Sequence, residues 1–100
     1  MTISCKPFEH LSVYELYDIL ALRSTVFVVE QHCPYQDPDH KDSEALHCVG
    51  RKAGKIAAYT RIFDMNKAYP GYLSIGRVVV SPEFRSSGCG KQIMEYSIAQ

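Results

Sequence analysis

The 100-residue chain predicts a single domain, residues 1–100, of the α/β class with layered α+β character. Three stretches carry that reading. A capped helix comes early, a β-hairpin follows it, and a valine-rich strand then turns through a glycine-bearing loop into a second helix.

The totals exclude several functions. Lys plus Arg number 11 and Asp plus Glu number 11, so no bulk field selects nucleic acid or an anionic membrane. The start, Met-Thr-Ile-Ser-Cys-Lys-Pro, lacks an apolar signal core, and no run reaches membrane-spanning length, so a cytoplasmic location is expected. Cys5, Cys33, Cys48 and Cys89 form no Cys-x-x-Cys pair and are expected as reduced thiols. His32-Cys33 and His47-Cys48 invite a zinc reading. Structural zinc ligands usually sit two to four apart, however, and adjacent strand residues point to opposite faces. No metal is expected.

Taken in order, residues 1–11 read as a short strand or extended lead-in anchored by Ile3 and Phe8. Ser12-Val13-Tyr14-Glu15 is a capping box: the Ser hydroxyl takes an early N–H and Glu15 reaches back. Leu16, Ile19, Leu20, Arg23 and Phe27 share one helical face, which predicts a helix from about Val13 to the middle twenties. Val26-Phe27-Val28-Val29 fits either a further helical turn or an extended piece. Residues 30–46, with Pro34, Pro38 and many polar groups, form a loop long enough to be functional. Its acidic cluster of Glu30, Asp37, Asp39 and Asp42 either attracts a cationic amine or caps turns.

His47 to Arg51 and Lys55 to Phe63 read as an antiparallel hairpin about Lys52-Ala53-Gly54. Ala57, Tyr59, Arg61 and Phe63 fall on one face of its second strand, and Ile56, Ala58, Thr60 and Ile62 on the other. Asp64 to Gly71 is a second loop, and Leu73 to Val80 the next strand, covered on both faces at Val78, Val79 and Val80. Arg61 and Arg77 lie among apolar residues of these strands, where a charge needs a partner. They pair with Glu30 or a loop aspartate, the alternative that charge matching favours, or one of them grips an acidic group of a substrate.

Pro82 stops the valine strand because it offers no N–H to a ladder. Ser86, Ser87, Gly88 and Gly90 then allow a sharp turn that presents N–H groups together, beside Arg85 and Lys91. Ile93, Met94 and Ile98 follow at helical spacing. Free N–H groups at a helix N-terminus form an anion site, which predicts a phosphate-bearing ligand. A Walker loop would need Gly at Arg85 and Ser or Thr at Gln92, and a dinucleotide fingerprint would need Gly at Ile93. Arg-x-x-Gly-x-Gly, spelled by Arg85, Gly88 and Gly90 after Ser-Pro-Glu-x-Arg, does fit.

This motif resembles the coenzyme A loop of the GCN5-related N-acetyltransferase (GNAT) superfamily, and the wider match is to its ElaA-like subgroup. Leu22 to Gln31, Cys33 to Asp37 with Asp39, His47, Ala58 to Ile62 and Ile75 to Val80 carry it. The resemblance implies a mixed, mainly antiparallel sheet flanked by helices, with the strand ending at Val80 splayed from its neighbour. It implies acetyl-coenzyme A as acetyl donor, bound by Val78, Val79, Val80, Arg85, Ser86, Ser87, Gly88, Cys89, Gly90 and Lys91. The pantetheine would pair with backbone groups of Val78 and Val80, and the pyrophosphate with the loop amides. The acceptor would be a small-molecule or peptide amine. Glu30 or, behind it, Asp37 would take its proton, and Arg61, Arg77 and Tyr35 would contact it.

Members of the superfamily continue past this helix into the strand and helix that complete the notch. This sequence stops at Tyr96-Ser97-Ile98-Ala99-Gln100 without a C-terminal cap, so the expectation is a C-terminally incomplete domain. Its exposed sheet edge leaves room for a homo-oligomer, and the oligomeric state stays open. The implied function is N-acetyl transfer; the alternative is a non-catalytic coenzyme A binding half-domain completed by another chain.

Overall fold

Four antiparallel strands lie in the order of the chain, β1 (Thr2–Pro7), β2 (Leu46–Lys52), β3 (Lys55–Asp64) and β4 (Leu73–Val80). They come from a computed structural model that describes residues 1–64 and 73–100. Most of the second predicted loop, with its turn signals at Asn66 and Pro70-Gly71, lies outside the described residues. Helix α1 (Val13–Ser24) covers one face of the sheet, and α2 (Cys89–Ile98) covers the other.

The capping box forms by half. Ser12 Oγ accepts the Glu15 N–H at 3.0 Å, but the Glu15 carboxylate turns to Lys6 at 3.2 Å and Arg51 at 3.1 Å. Two cations on the adjacent strands outbid one exposed backbone N–H. Past Ser24 the helix neither stops nor becomes a strand; Thr25–Glu30 winds as a π-helical turn, with Thr25 Oγ1 donating back to Ala21 O at 3.0 Å. The following segment closes with a 3-10 turn at Asp42–Glu44.

Ile19, Val49, Ile56, Tyr59 and Val79 make the core beneath α1, joined by Leu11, Leu22, Val26 and Phe27. Leu16 and Leu20 are only half-buried. They face Phe8, Pro38 and His40 across a shallow cavity instead of the sheet. Beneath α2 lie Cys48, Ala57, Ala58, Ile62, Cys89 and Ile93, with Ser97 fully buried and bonded to Thr60 Oγ1 at 2.6 Å. The α2 stripe is therefore Cys89, Ile93 and Ser97, and Ile98, predicted on it, is exposed.

Two irregularities break the predicted alternation. Ala53 and Gly54 turn the hairpin with φ of 54° and 76°, but the register shifts beyond it, because Gly50 faces Ala58 while Arg51 faces Ile56. Ala57 is the extra residue. That bulge moves Ile56 onto the α1 face with Tyr59, contrary to strict period-two counting. In β4 the pairing slips again, with Tyr59 opposite Val79 but Arg61 opposite Gly76. Arg77, at φ 48°, occupies the bulge. Val78 is left exposed, so only Val79 and Val80 are covered as predicted for a buried strand.

Candidate functional site: the turn from β4 into α2 and the ion network beside it

Val80 ends β4, and the chain passes through Ser81, a 3-10 turn at Pro82–Phe84 and an exposed turn at Arg85–Gly88. Ser86 and Gly88 both have positive φ, 68° and 82°, and Gly88 caps α2 from the left-handed region that glycine reaches freely. The Ser87 hydroxyl donates to Phe84 O and lies 3.0 Å from the sulfur of the buried Cys89, pinning the turn from inside. Gly90 brings α2 against the strand: a Cβ there would stand 3.2 Å from Val80 Cγ2. Among the described residues, no backbone N–H from Arg85 to Lys91 meets a protein acceptor at full hydrogen-bond geometry. The first helical turn after it, Cys89-Gly90-Lys91, contains no acidic residue. These amides form the positive end of a ten-residue helix and suit an anion.

β4 is the last strand of the sheet among the described residues. Ser81 N–H donates to Ala57 O at 2.8 Å, so by antiparallel alternation Val79 also turns its peptide groups inward to β3. The peptide groups of Val78 and Val80 point to the open edge. Val79, assigned with them to the cofactor, instead spends its peptide on the ladder and its side chain on the α1 core.

A charge network sits at the far end of α1. Arg23, fully buried, gives Nε to Asp37 Oδ2 at 2.7 Å, Nη1 to Asp42 Oδ1 at 2.8 Å and Nη2 to Asp37 O at 3.3 Å. Arg61 donates to both Asp39 oxygens at 2.8 and 2.9 Å and to Asp42 Oδ1 at 2.9 Å. Arg77, aimed by its bulge, donates to Asp37 O at 3.1 Å, and its Nε lies 3.0 Å from Asp37 Oδ1 without a hydrogen-bond alignment. Three guanidiniums thus face three carboxylates of one loop. The partners of Arg61 and Arg77 are loop aspartates, not Glu30, so their charges are matched within the chain.

The hydrogen bonds from Arg61 hold Asp39 far below the usual carboxylate range, against the opposing effect of burial. On Asp42 burial is the largest influence and pushes upward, but the bonds from Arg23 and Arg61 together outweigh it, and its pKa falls. Asp37, one of the two carboxylates read as a base, is 2% exposed and also receives the Tyr35 hydroxyl at 3.1 Å. Its oxygens are committed to the network, which corrects its assignment as a base. Tyr35, expected to contact the acceptor, is tied to the same carboxylate while its ring is partly exposed. His47 completes the base of the network. Asp42 O can only accept, so His47 Nε2 carries the proton and donates at 2.8 Å, and Nδ1 accepts the Tyr59 hydroxyl at 2.5 Å. Burial lowers the His47 pKa and raises that of Tyr59.

Glu30 lies apart from this network, at the end of the π turn. Its oxygens receive Arg85 Nη2 at 2.6 Å and Nη1 at 3.1 Å, and this pairing lowers its pKa. The structure thus brings the first base candidate to the first residue of the turn into α2. Arg23, His47 and Tyr59 had no functional assignment from sequence, although an arginine inside an apolar helical stripe was a usable signal. The two His-Cys pairs do not converge on one point: His47 is spent on Tyr59 and Asp42, Cys48 faces Cys5 across β1 and β2, and Cys33 is exposed. Burial, aided by Cys48, pushes the Cys5 thiol up to about 12.

An antiparallel sheet between two helices, with a glycine-bearing turn leading from its last strand into the second helix, defines an α+β domain. The chain belongs to the acetyltransferase (GNAT) family, whose model matches residues 13–100. It is 44% identical over 90 residues to a UPF0039 protein of Schizosaccharomyces pombe, covering 89% of this chain and 58% of that one. To protein ElaA of Escherichia coli it is 42% identical over 92 residues, covering 90% of this chain and 60% of the relative. The crystal structure of E. coli ElaA superposes with a TM-score of 0.89 at 38% identity, covering 98% of this chain and 67% of that one. An acyl-CoA N-acyltransferase from Pseudomonas aeruginosa gives 0.89 at 40% identity, covering 98% and 66%. The chain therefore spans about three fifths of the length of these curated relatives. Among the described residues, no helix is long and apolar enough to cross a membrane.

Proposed function

We propose that this domain binds acetyl-coenzyme A at the β4–α2 turn and serves acetyl transfer to an amine. The observation that carries it is the run of unengaged amides from Arg85 to Lys91 directly after a strand edge that offers the Val78 and Val80 peptides. The residues fit the cofactor: Arg85, Ser86, Ser87, Gly88, Cys89, Gly90 and Lys91 would hold its diphosphate by backbone N–H groups, and β4 its amide-bearing arm. When bound, the cofactor supplies an activated acyl group as a thioester.

The chain's own part is to orient that group and to accept a proton from the amine. Glu30 is the carboxylate placed for it, since it is exposed and stands beside the anion turn, whereas Asp37 is enclosed. The balanced arginine–aspartate network fixes the loop that carries Tyr35, whose exposed ring is read as touching the acceptor. The acceptor is thereby read as an amine without a required acidic group, a small molecule or a peptide. The alternative reading is binding of the same cofactor without turnover.

Mixing the protein with acetyl-coenzyme A and a panel of amines, and following free thiol, separates the two. Thiol release that falls in Glu30→Gln supports transfer with Glu30 as base. Calorimetric binding without thiol release favours the binding module, and no binding contradicts both.

A further inference from the structure

Arg85 joins two elements that lie 55 positions apart in the chain. It opens the amide-lined turn, and Glu30 closes the π-helical turn on the opposite layer. The contact is a fork, Nη2 to Oε1 at 2.6 Å and Nη1 to Oε2 at 3.1 Å, so it uses the whole bidentate edge of the guanidinium. Phosphate oxygens seek that same edge. Both side chains are open to solvent, 46% for Arg85 and 35% for Glu30, so the guanidinium can swing without unpacking the core. A diphosphate arriving at the turn brings more charge than one carboxylate and meets the α2 amides as well.

We propose that Arg85 is exchanged between two anions: it pairs with Glu30 in the free chain and passes to the diphosphate when the donor binds, releasing the Glu30 carboxylate. This rests on the donor-binding reading above and adds an order to it. Glu30 is neutralised by its partner until the donor is in place, and only then faces the acceptor as an unpaired carboxylate. Glu30 is by the same token a competitor of the donor, which sets a sign that a merely structural ion pair would not give.

Calorimetric titration of coenzyme A into the wild type, Glu30→Gln, Arg85→Ala and the double variant tests this. Glu30→Gln is expected to bind about two- to fivefold tighter, the range an exposed ion pair commands. Arg85→Ala is expected to bind more weakly, and Glu30→Gln to change nothing in its background. Unchanged or weaker binding by Glu30→Gln, with coenzyme A still bound by the wild type, would overturn the exchange and leave the donor site standing. Coenzyme A bound by none of the four would overturn the donor site and the exchange with it.

Discussion

Removing the Arg23 guanidinium tests most sharply what holds the loop of residues 31–45 to the sheet. Arg23→Met keeps an unbranched stem and deletes three hydrogen bonds, at 2.7, 2.8 and 3.3 Å, from a fully buried site. The network then holds two guanidiniums against Asp37, Asp39 and Asp42, so one buried negative charge goes unmatched. Breaking a buried pair from one side costs about 3–5 kcal/mol. A domain holds in all about 5–15 kcal/mol, and each kcal/mol moves the midpoint of one this size by roughly 4–8 °C. The expected loss in Tm is therefore at least about 12 °C. Asp37→Asn alone unbalances the count in the other direction, but added to Arg23→Met it restores two against two. The double variant is thus expected to lose about 1–3 kcal/mol less stability than the sum of the two single losses. Urea unfolding followed by circular dichroism measures all four proteins. A cost below about 1 kcal/mol for Arg23→Met, or strictly additive singles, would refute the charge-matching argument.

Acid should weaken the fold in two stages. The buried His47 ring stays neutral while the unfolded ring takes a proton below about pH 6.5, so stability is lost as pH falls through that value. A pH series of urea midpoints should show this first slope in the wild type and lose it in His47→Gln. Asp39 and Asp42 have depressed pKa values, so their contribution is present above about pH 4 and drains away below it. Gly88→Ala puts a side chain at φ 82° in the anion turn and should weaken coenzyme A binding and cost about 1 kcal/mol; unchanged calorimetric affinity would contradict the role given to the turn. Ser12→Ala should cost about 1 kcal/mol through the lost cap, read by thermal melting, with coenzyme A binding untouched.

Element positions were readable because local chemistry set them. Ser12 starts α1, Ala53-Gly54 turns the hairpin and Pro82 stops β4, each by a rule that involves few neighbours. What escaped depends on pairing. Period-two counting placed Ile56 opposite Tyr59, and only the register of β2 on β3 shows that Ala57 is an added residue. The bulge at Arg77 is likewise a property of two strands, and it sends that side chain to Asp37. In the candidate site the turn from β4 into α2 was legible as a contiguous motif. Asp37 as a base was misread because its partners, Arg23 and Arg77, come from distant segments. The Glu30–Arg85 contact was invisible for the same reason: neither residue's surroundings in sequence point to the other.

Amide chemical shifts during a coenzyme A titration test the account most directly. It predicts the largest changes at the N–H groups of Arg85 to Lys91 and along Val78 to Val80, with little at Asp37 to Asp42. Saturable binding whose shifts gather elsewhere, leaving the turn into α2 unmoved, would contradict it.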